Sequence, residues 1–170
     1  MTKKFAFFQV SLKILLKKKN GKVLLLRARK GDIDLPGGRI DSGEEKKSLE
    51  EIVKREVQEE LGGDIVFKLG RPLFQYRIYM HRTKTYEFVV VYEAQHLEGK
   101  ITLSEEHKEY LWIHPRALTL LPADFRVQDQ EKSGAFRAYF DTWRSLRSLP
   151  NPGREKTPPT LAPFPVHEKA

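Results

Sequence analysis

A chain of 170 residues, 39% hydrophobic and 32% charged, is sized for one domain, and no stretch approaches the ~18 to 20 apolar residues of a membrane span. The absence of cysteine excludes disulfides and thiolate metal sites, so any metal must be held by oxygen or imidazole. A net charge of +8 draws polyanions, with nucleotides, RNA and acidic membranes all eligible, and competes with the plainer reading of a generally basic, soluble surface.

Two apolar runs, Phe5–Leu16 and Lys22–Ala28, flank Lys19-Asn20-Gly21, and Asn-Gly between hydrophobic segments is the strongest short hairpin cue. Gln9, Ser11 and Lys13 interrupt the first run and no small-residue cleavage pattern follows it. It therefore reads as a strand, and the expected compartment is the cytoplasm, with no membrane association. Residues Gly31–Gly43, rich in Gly, Asp and Pro, read as turns before a helix. Strand-like stretches follow at Ile65–Leu69, Leu73–Met80, Tyr86–Ala94 and Tyr110–Ile113, and then a short helix at Pro115–Leu120. One helix within a run of strands points to an α+β or mixed α/β fold. From Gln130 to Leu149, the residues Phe136, Tyr139, Phe140, Trp143 and Leu146 recur at the spacing of one helix face and read as core packing. Residues 150–170 carry six prolines and no periodicity, and read as a flexible tail outside a domain of residues 1–149.

The first helix poses the chemical question. Ser48 followed three residues later by Glu51 is a capping-box pattern, and Gly62-Gly63 marks the other end. Leu49, Ile52, Val53, Val57 and Leu61 form the stripe to be buried, yet Glu56 and Glu60 project at about 20° either side of Leu49, with Glu59 at the margin. Carboxylates one turn apart in a buried arc repel each other and need cations nearby. The competing reading is a solvated helix with charge pairs such as Glu51 with Arg55.

Upstream lies LPGGRIDSGEE, residues 35–45, where glycine lets backbone approach an ion or phosphate closely. Together, Gly38, Glu44, Arg55, Glu56, Val57, Glu59, Glu60 and Gly62 resemble the signature of the Nudix hydrolases. Ten residues separate Glu44 from Arg55 where the family has seven, and Gly63 stands at the final aliphatic position. The capping box places the three extra residues in the loop around Glu45–Lys47, which keeps the register from Arg55 to Glu60 and leaves the placement of Glu44 open. In LSEEHKEYLWI, residues 103–113, Glu106 precedes Trp112 by six residues, as a further glutamate does in many Nudix enzymes; Glu109 is the alternative.

The resemblance covers roughly residues 5–149 and implies a Nudix-type α/β/α sandwich, nominally α/β (α+β), around a mixed β-sheet. It implies a pyrophosphohydrolase that cleaves a nucleoside diphosphate linked to another group. Mg²⁺, with Mn²⁺ as the alternative, would be held by Glu56, Glu59, Glu60, Glu106 and the Gly38 carbonyl. Glu56 or Glu106 would be the general base and Arg55 would orient the glutamates, while Glu44, Gly37 and Gly62 would hold the box together. Arg27, Arg29 and Arg39 border the expected site as phosphate binders, against the reading of solvated charges. Substrate candidates are nucleoside triphosphates, damaged nucleotides, nucleotide sugars, dinucleoside polyphosphates and RNA 5′ ends. A non-catalytic nucleotide sensor is the alternative of another class. Phe74, Tyr76 and Tyr79 are candidates for stacking on a base or for core packing. The oligomeric state, monomer or homodimer, stays open.

Overall fold

The strand on which the others are built is β1, Phe8–Lys17. Its even positions Leu12, Ile14 and Leu16 and its odd position Leu15 are all buried, so both of its faces are covered. A computed structural model describes residues 4–145. In chain order the elements are β1, β2 (Val23–Ala28), β3 (Ile33–Asp34), β4 (Gly37–Arg39), α1 (Leu49–Leu61), β5 (Val66–Met80), β6 (Thr85–Glu98), β7 (His107–Ile113) and α2 (Gln130–Ser145). Short 3₁₀ turns span Pro115–Ala117 and Pro122–Asp124. The sheet runs β3-β2-β1-β6-β5, with β4 on β1 and β7 on β2. It is mixed: β1 and β6 run parallel from Phe8 opposite Tyr86 to Lys17 opposite Gln95, and the other pairs are antiparallel.

Each face carries one helix. Leu12, Ile14, Leu16, Leu24 and Leu26 pack with Ile52, Val53, Val57 and Leu61 of α1. On the other face Leu15, Leu25, Tyr76, Val89 and Val91 pack with Phe136 and Phe140 of α2. The result is the α/β/α sandwich around a mixed sheet. Among the described residues no helix is long and apolar enough to cross a membrane.

The opening hairpin is more limited than the sequence suggests. Its turn closes through Lys18 N–H to Lys22 O and Gly21 N–H to Lys18 O, with Gly21 at φ 81°, but β1 and β2 pair only at Lys17 opposite Val23. Beyond that point residues 33–39 come between them: β3 pairs with β2 and β4 with β1. A Gly/Pro-rich segment carries no strand signal of its own, and the two neighbouring strand edges supply its partners.

The stretches at 65–69 and 73–80 join into the single strand β5, irregular around Pro72, a residue without an N–H that an edge strand tolerates. The helix expected at Pro115–Leu120 is only the 3₁₀ turn Pro115–Ala117. In α1 the capping box forms as expected, with the Ser48 hydroxyl accepting from Glu51 N–H and Glu51 accepting from Ser48 N–H. Leu49 departs from the expected buried stripe: it is 44% exposed, because the first turn of α1 projects past the core and the stripe begins at Ile52. Phe74 and Tyr76 pack against Phe136 in the core, whereas Tyr79 is exposed and lies against Tyr86. Leu146, the end of the helix expected to residue 149, and the tail at 150–170 lie outside the described residues.

Phe136 is fully buried at the centre of the α2-side core. Phe136→Ala is expected to lower the unfolding free energy by about 3–5 kcal/mol, measured by urea denaturation followed by circular dichroism.

Candidate active site

Arg55, half-buried on the flank of α1, collects the acids. Its Nε and Nη2 each donate to one oxygen of Glu44 at 2.9 Å, a two-pronged pairing suited to the planar guanidinium. Nη2 also lies 2.8 Å from Glu56 Oε1 and donates to the carbonyl of Arg39 at 3.2 Å, and Nη1 reaches Glu59 Oε2 at 3.2 Å. One side chain therefore ties the helix to the loop before it and to β4.

The insertion leaves Glu44 in place. Glu44 is buried, accepts from Asp41 N–H at 3.0 Å, and is joined by Lys47 at 3.1 Å. Lys47, in the loop between Glu44 and α1, contributes a second cation to Glu44. Hydrogen bonding from Arg55, with help from the Asp41 amide and Lys47, holds the Glu44 carboxyl down at about 2. The same Glu44 pairing raises Arg55 above its already high ordinary value.

The two glycines act on the two inward glutamates separately. Gly37 has φ 120°, a Cβ there would fall 2.9 Å from Lys13 Cα, and its N–H donates to Glu60 Oε2 at 2.8 Å. A Cβ on Gly38 would lie 2.5 Å from the carboxyl carbon of Glu56. A side chain at Gly38 would push out the Glu56 carboxylate, and one at Gly37 would run into the backbone of β1. Gly62 ends α1 at φ 90° against Thr102, and Gly63 is exposed.

The wheel geometry of α1 holds for its acids. Glu60 is 6% exposed, and burial pushes its carboxyl up to about 7 against the lowering pull of Lys13. Burial likewise raises Glu56, opposed by Arg55. Glu59 faces outward, its side chain 59% exposed. Beside Glu60 stands a group that no motif marks. Lys13 on β1 lies 3.8 Å from Glu60 and 3.2 Å from Asp34 on β3. Although partial burial of Asp34 works the other way, the charges of Lys13 and Lys132, with His107 beside them, hold its carboxyl far below the usual range. The signal was available: a charge at an odd position of a strand buried on both faces needs a buried partner.

The remaining expected residues divide. The loop after β6 is tied to the end of α1 by Thr102 N–H to Leu61 O and Ser104 N–H to Glu60 O. Glu106 follows two residues later, exposed, its carboxylate in none of the described hydrogen bonds or ion pairs, whereas Glu109 pairs with Arg27 at 3.2 Å. Arg27 is further committed to the Gly31 carbonyl and Asp124, and Arg29 to Glu105. Arg39 offers its backbone carbonyl to Arg55, while none of the described hydrogen bonds or ion pairs uses its guanidinium.

Glu56, Glu59 and Glu60 supply hard oxygen donors, and Gly38 brings unobstructed backbone against Glu56; this donor set has the chemistry that Mg²⁺ or Mn²⁺ takes. Among the described residues no three carboxylates or imidazoles gather around one point, and Arg55 and Lys13 lie against the acids.

A mixed sheet between two helices, with acids of one helix drawn against a glycine pair by an Arg–Glu clamp, describes a class of hydrolytic α/β/α domain. The profile of the NUDIX domain matches residues 8–133, and the chain belongs to the Nudix hydrolase family. The nucleoside triphosphatase NudI of Escherichia coli O139:H28 is 30% identical over 98 residues, and that of Escherichia fergusonii 26% over 95. Each alignment takes in 52% of this chain and 65% of the relative, so the chain spans less than two thirds of these relatives' length. The MutT protein of Methanosarcina mazei Go1 superposes with a TM-score of 0.61 at 26% identity, over 84% of this chain and 97% of that one. A Caenorhabditis elegans Ap4A hydrolase shares the fold, with a TM-score of 0.53 at 17% identity over 81% of this chain and 98% of its own.

A carboxylate with a depressed folded value contributes stability above its unfolded value and loses it as pH falls through the folded one. The melting-temperature difference between wild type and Glu44→Gln is therefore expected to be full at pH 7 and to close between pH 4.5 and about 2. Thermal melts across that range check it.

Proposed function

We propose that this chain is a metal-dependent pyrophosphohydrolase, cleaving a nucleoside diphosphate linked to another group by attack of water at phosphorus. The observation that carries the reading is the pair of inward carboxylates, Glu56 and Glu60, set against the backbone of Gly38 and Gly37 and steadied by Arg55. A chain with a purely structural helix would have little reason to bury them.

Glu56, Glu59 and Glu60, with the Gly38 carbonyl and Glu106, would hold Mg²⁺, or Mn²⁺ in its place. Such ions neutralise pyrophosphate charge and make water a better nucleophile. Glu56 is suited to take the proton from the attacking water. Arg55 binds its Oε1, and burial raises its carboxyl above the ordinary value, which favours proton acceptance. In the step, the water oxygen bonds to phosphorus, the bridging P–O bond breaks, the proton passes to Glu56, and the leaving phosphate carries off the electron pair. Arg55 orients Glu56 and Glu59 and stays with Glu44. Arg39, whose guanidinium is in none of the hydrogen bonds or ion pairs among the described residues, is the better phosphate contact than Arg27, which Glu109, Asp124 and Gly31 already engage.

For the substrate, the NudI relatives' name favours nucleoside triphosphates. The net charge of +8 favours a second reading, an RNA 5′-end pyrophosphohydrolase. The test is product release from a panel of nucleoside triphosphates, nucleotide sugars, dinucleoside polyphosphates and 5′-triphosphorylated RNA, with Mg²⁺ and with chelator. Turnover is expected only with metal, and Glu56→Gln is expected to lower kcat by roughly 100-fold or more. Binding of nucleotides without any turnover would instead make the chain a sensor.

A further inference from the structure

Lys13 is the charge inside β1, its side chain only 12% exposed. Its ammonium sits between two acids: 3.2 Å from Asp34 Oδ2, within hydrogen-bonding reach, and 3.8 Å from Glu60 Oε1, beyond it. The two oxygens of Glu60 thus have different surroundings. Oε2 is fixed by the N–H of Gly37 at 2.8 Å, whereas among the described residues Oε1 is met by the longer contact to Lys13. Asp34, for its part, is held from several sides, by Leu35 N–H at 2.9 Å and by Lys132 and His107 at 3.9 Å each.

This arrangement matters for any cation that approaches Glu60. The oxygen that no hydrogen bond fixes, Oε1, faces a resident positive charge, and in a partly dry site charges this close interact far more strongly than in water. Lys13 cannot swing out to solvent, because it is enclosed and anchored to Asp34. Its acidic contacts within 4 Å among the described residues are Asp34 and Glu60, so the strength of one attachment bears on the other.

We propose that Lys13, tethered by Asp34, is a built-in counter-cation for Glu60 with which a divalent ion must compete, so that the Lys13–Asp34 pair sets how tightly the α1 acids bind metal. The inference rests on the hydrolase reading of the same acids but concerns binding, not turnover. It makes Lys13 a positioning residue that acts through Glu60. Removing the ammonium takes the counter-charge from Glu60, while Asp34 keeps Lys132, His107 and the Leu35 amide, and the Glu60 carboxylate then draws a divalent ion in. Neutralising Asp34 leaves Lys13 with Glu60 as its main partner and shuts the ion out.

The test is Mn²⁺ titration of the full chain by calorimetry and electron paramagnetic resonance, without substrate, on wild type, Lys13→Met and Asp34→Asn, with folding confirmed by thermal melts in chelator. Lys13→Met is expected to tighten Mn²⁺ binding roughly tenfold, the change that about 1.4 kcal/mol produces, and Asp34→Asn to weaken it several-fold. A merely structural role would weaken binding in both variants. Folded Lys13→Met with wild-type or weaker affinity overturns the proposal; if that variant does not fold, unchanged or tighter binding by Asp34→Asn does so. Opposite shifts in a chain that hydrolyses nothing would sink the hydrolase reading alone. Absence of Mn²⁺ binding in wild type and both variants would sink both.

Discussion

A carboxylate on the packed face of a helix must be met by a cation or a donor, and α1 carries two of them. Leaving such a group unpaired in the interior costs several kcal/mol, a large fraction of a domain's net stability. The surroundings of α1 answer that constraint element by element. Arg55 meets Glu56 from the helix itself, the Gly37 amide meets Glu60 from β4, and Lys13 meets it from β1. Glu44, brought back by the loop, keeps Arg55 turned toward the acids.

The same constraint explains why a short glycine-rich segment parts the opening hairpin. With β1 and β2 paired along their length, no backbone N–H would be available to Glu60 and no gap would exist for Glu56. Insertion of residues 33–39 provides both, at the cost of Gly37, where the backbone leaves room for glycine alone, and Gly38, where a side chain would displace Glu56. The three added residues before α1 are tolerated because they extend an exposed loop and return Glu44 to Arg55, with Lys47 as an added partner.

Beyond α1, a chain of alternating charges runs from Glu60 through Lys13, Asp34 and Lys132 to Asp32 and Arg126. It joins the acidic site to α2, on the opposite face of the sheet. Lys132 sits one turn before Phe136 on the buried face of α2, so the helix that closes one core also supplies a cation toward the site. Buried networks of this kind are sensitive to the loss of any single member.

Local patterns determined a good deal by themselves. The limits of α1 follow from Ser48, Glu51 and Gly62; the inward aim of Glu56 and Glu60 follows from helical spacing; and the aromatic face of α2 follows from period. The Gly–Glu–Arg–Glu series carried the family. Tertiary structure decided what depends on residues distant in the chain. Partners for the strandless segment 33–39, the exposure of Leu49, the commitment of Arg27 to Glu109 and Asp124, and the meeting of Lys13 with Glu60 and Asp34 all belong to this group. The reason is physical: periodicity and capping are set by bonds within a few residues, whereas a buried charge is satisfied by whichever strand or helix the fold brings within about 4 Å.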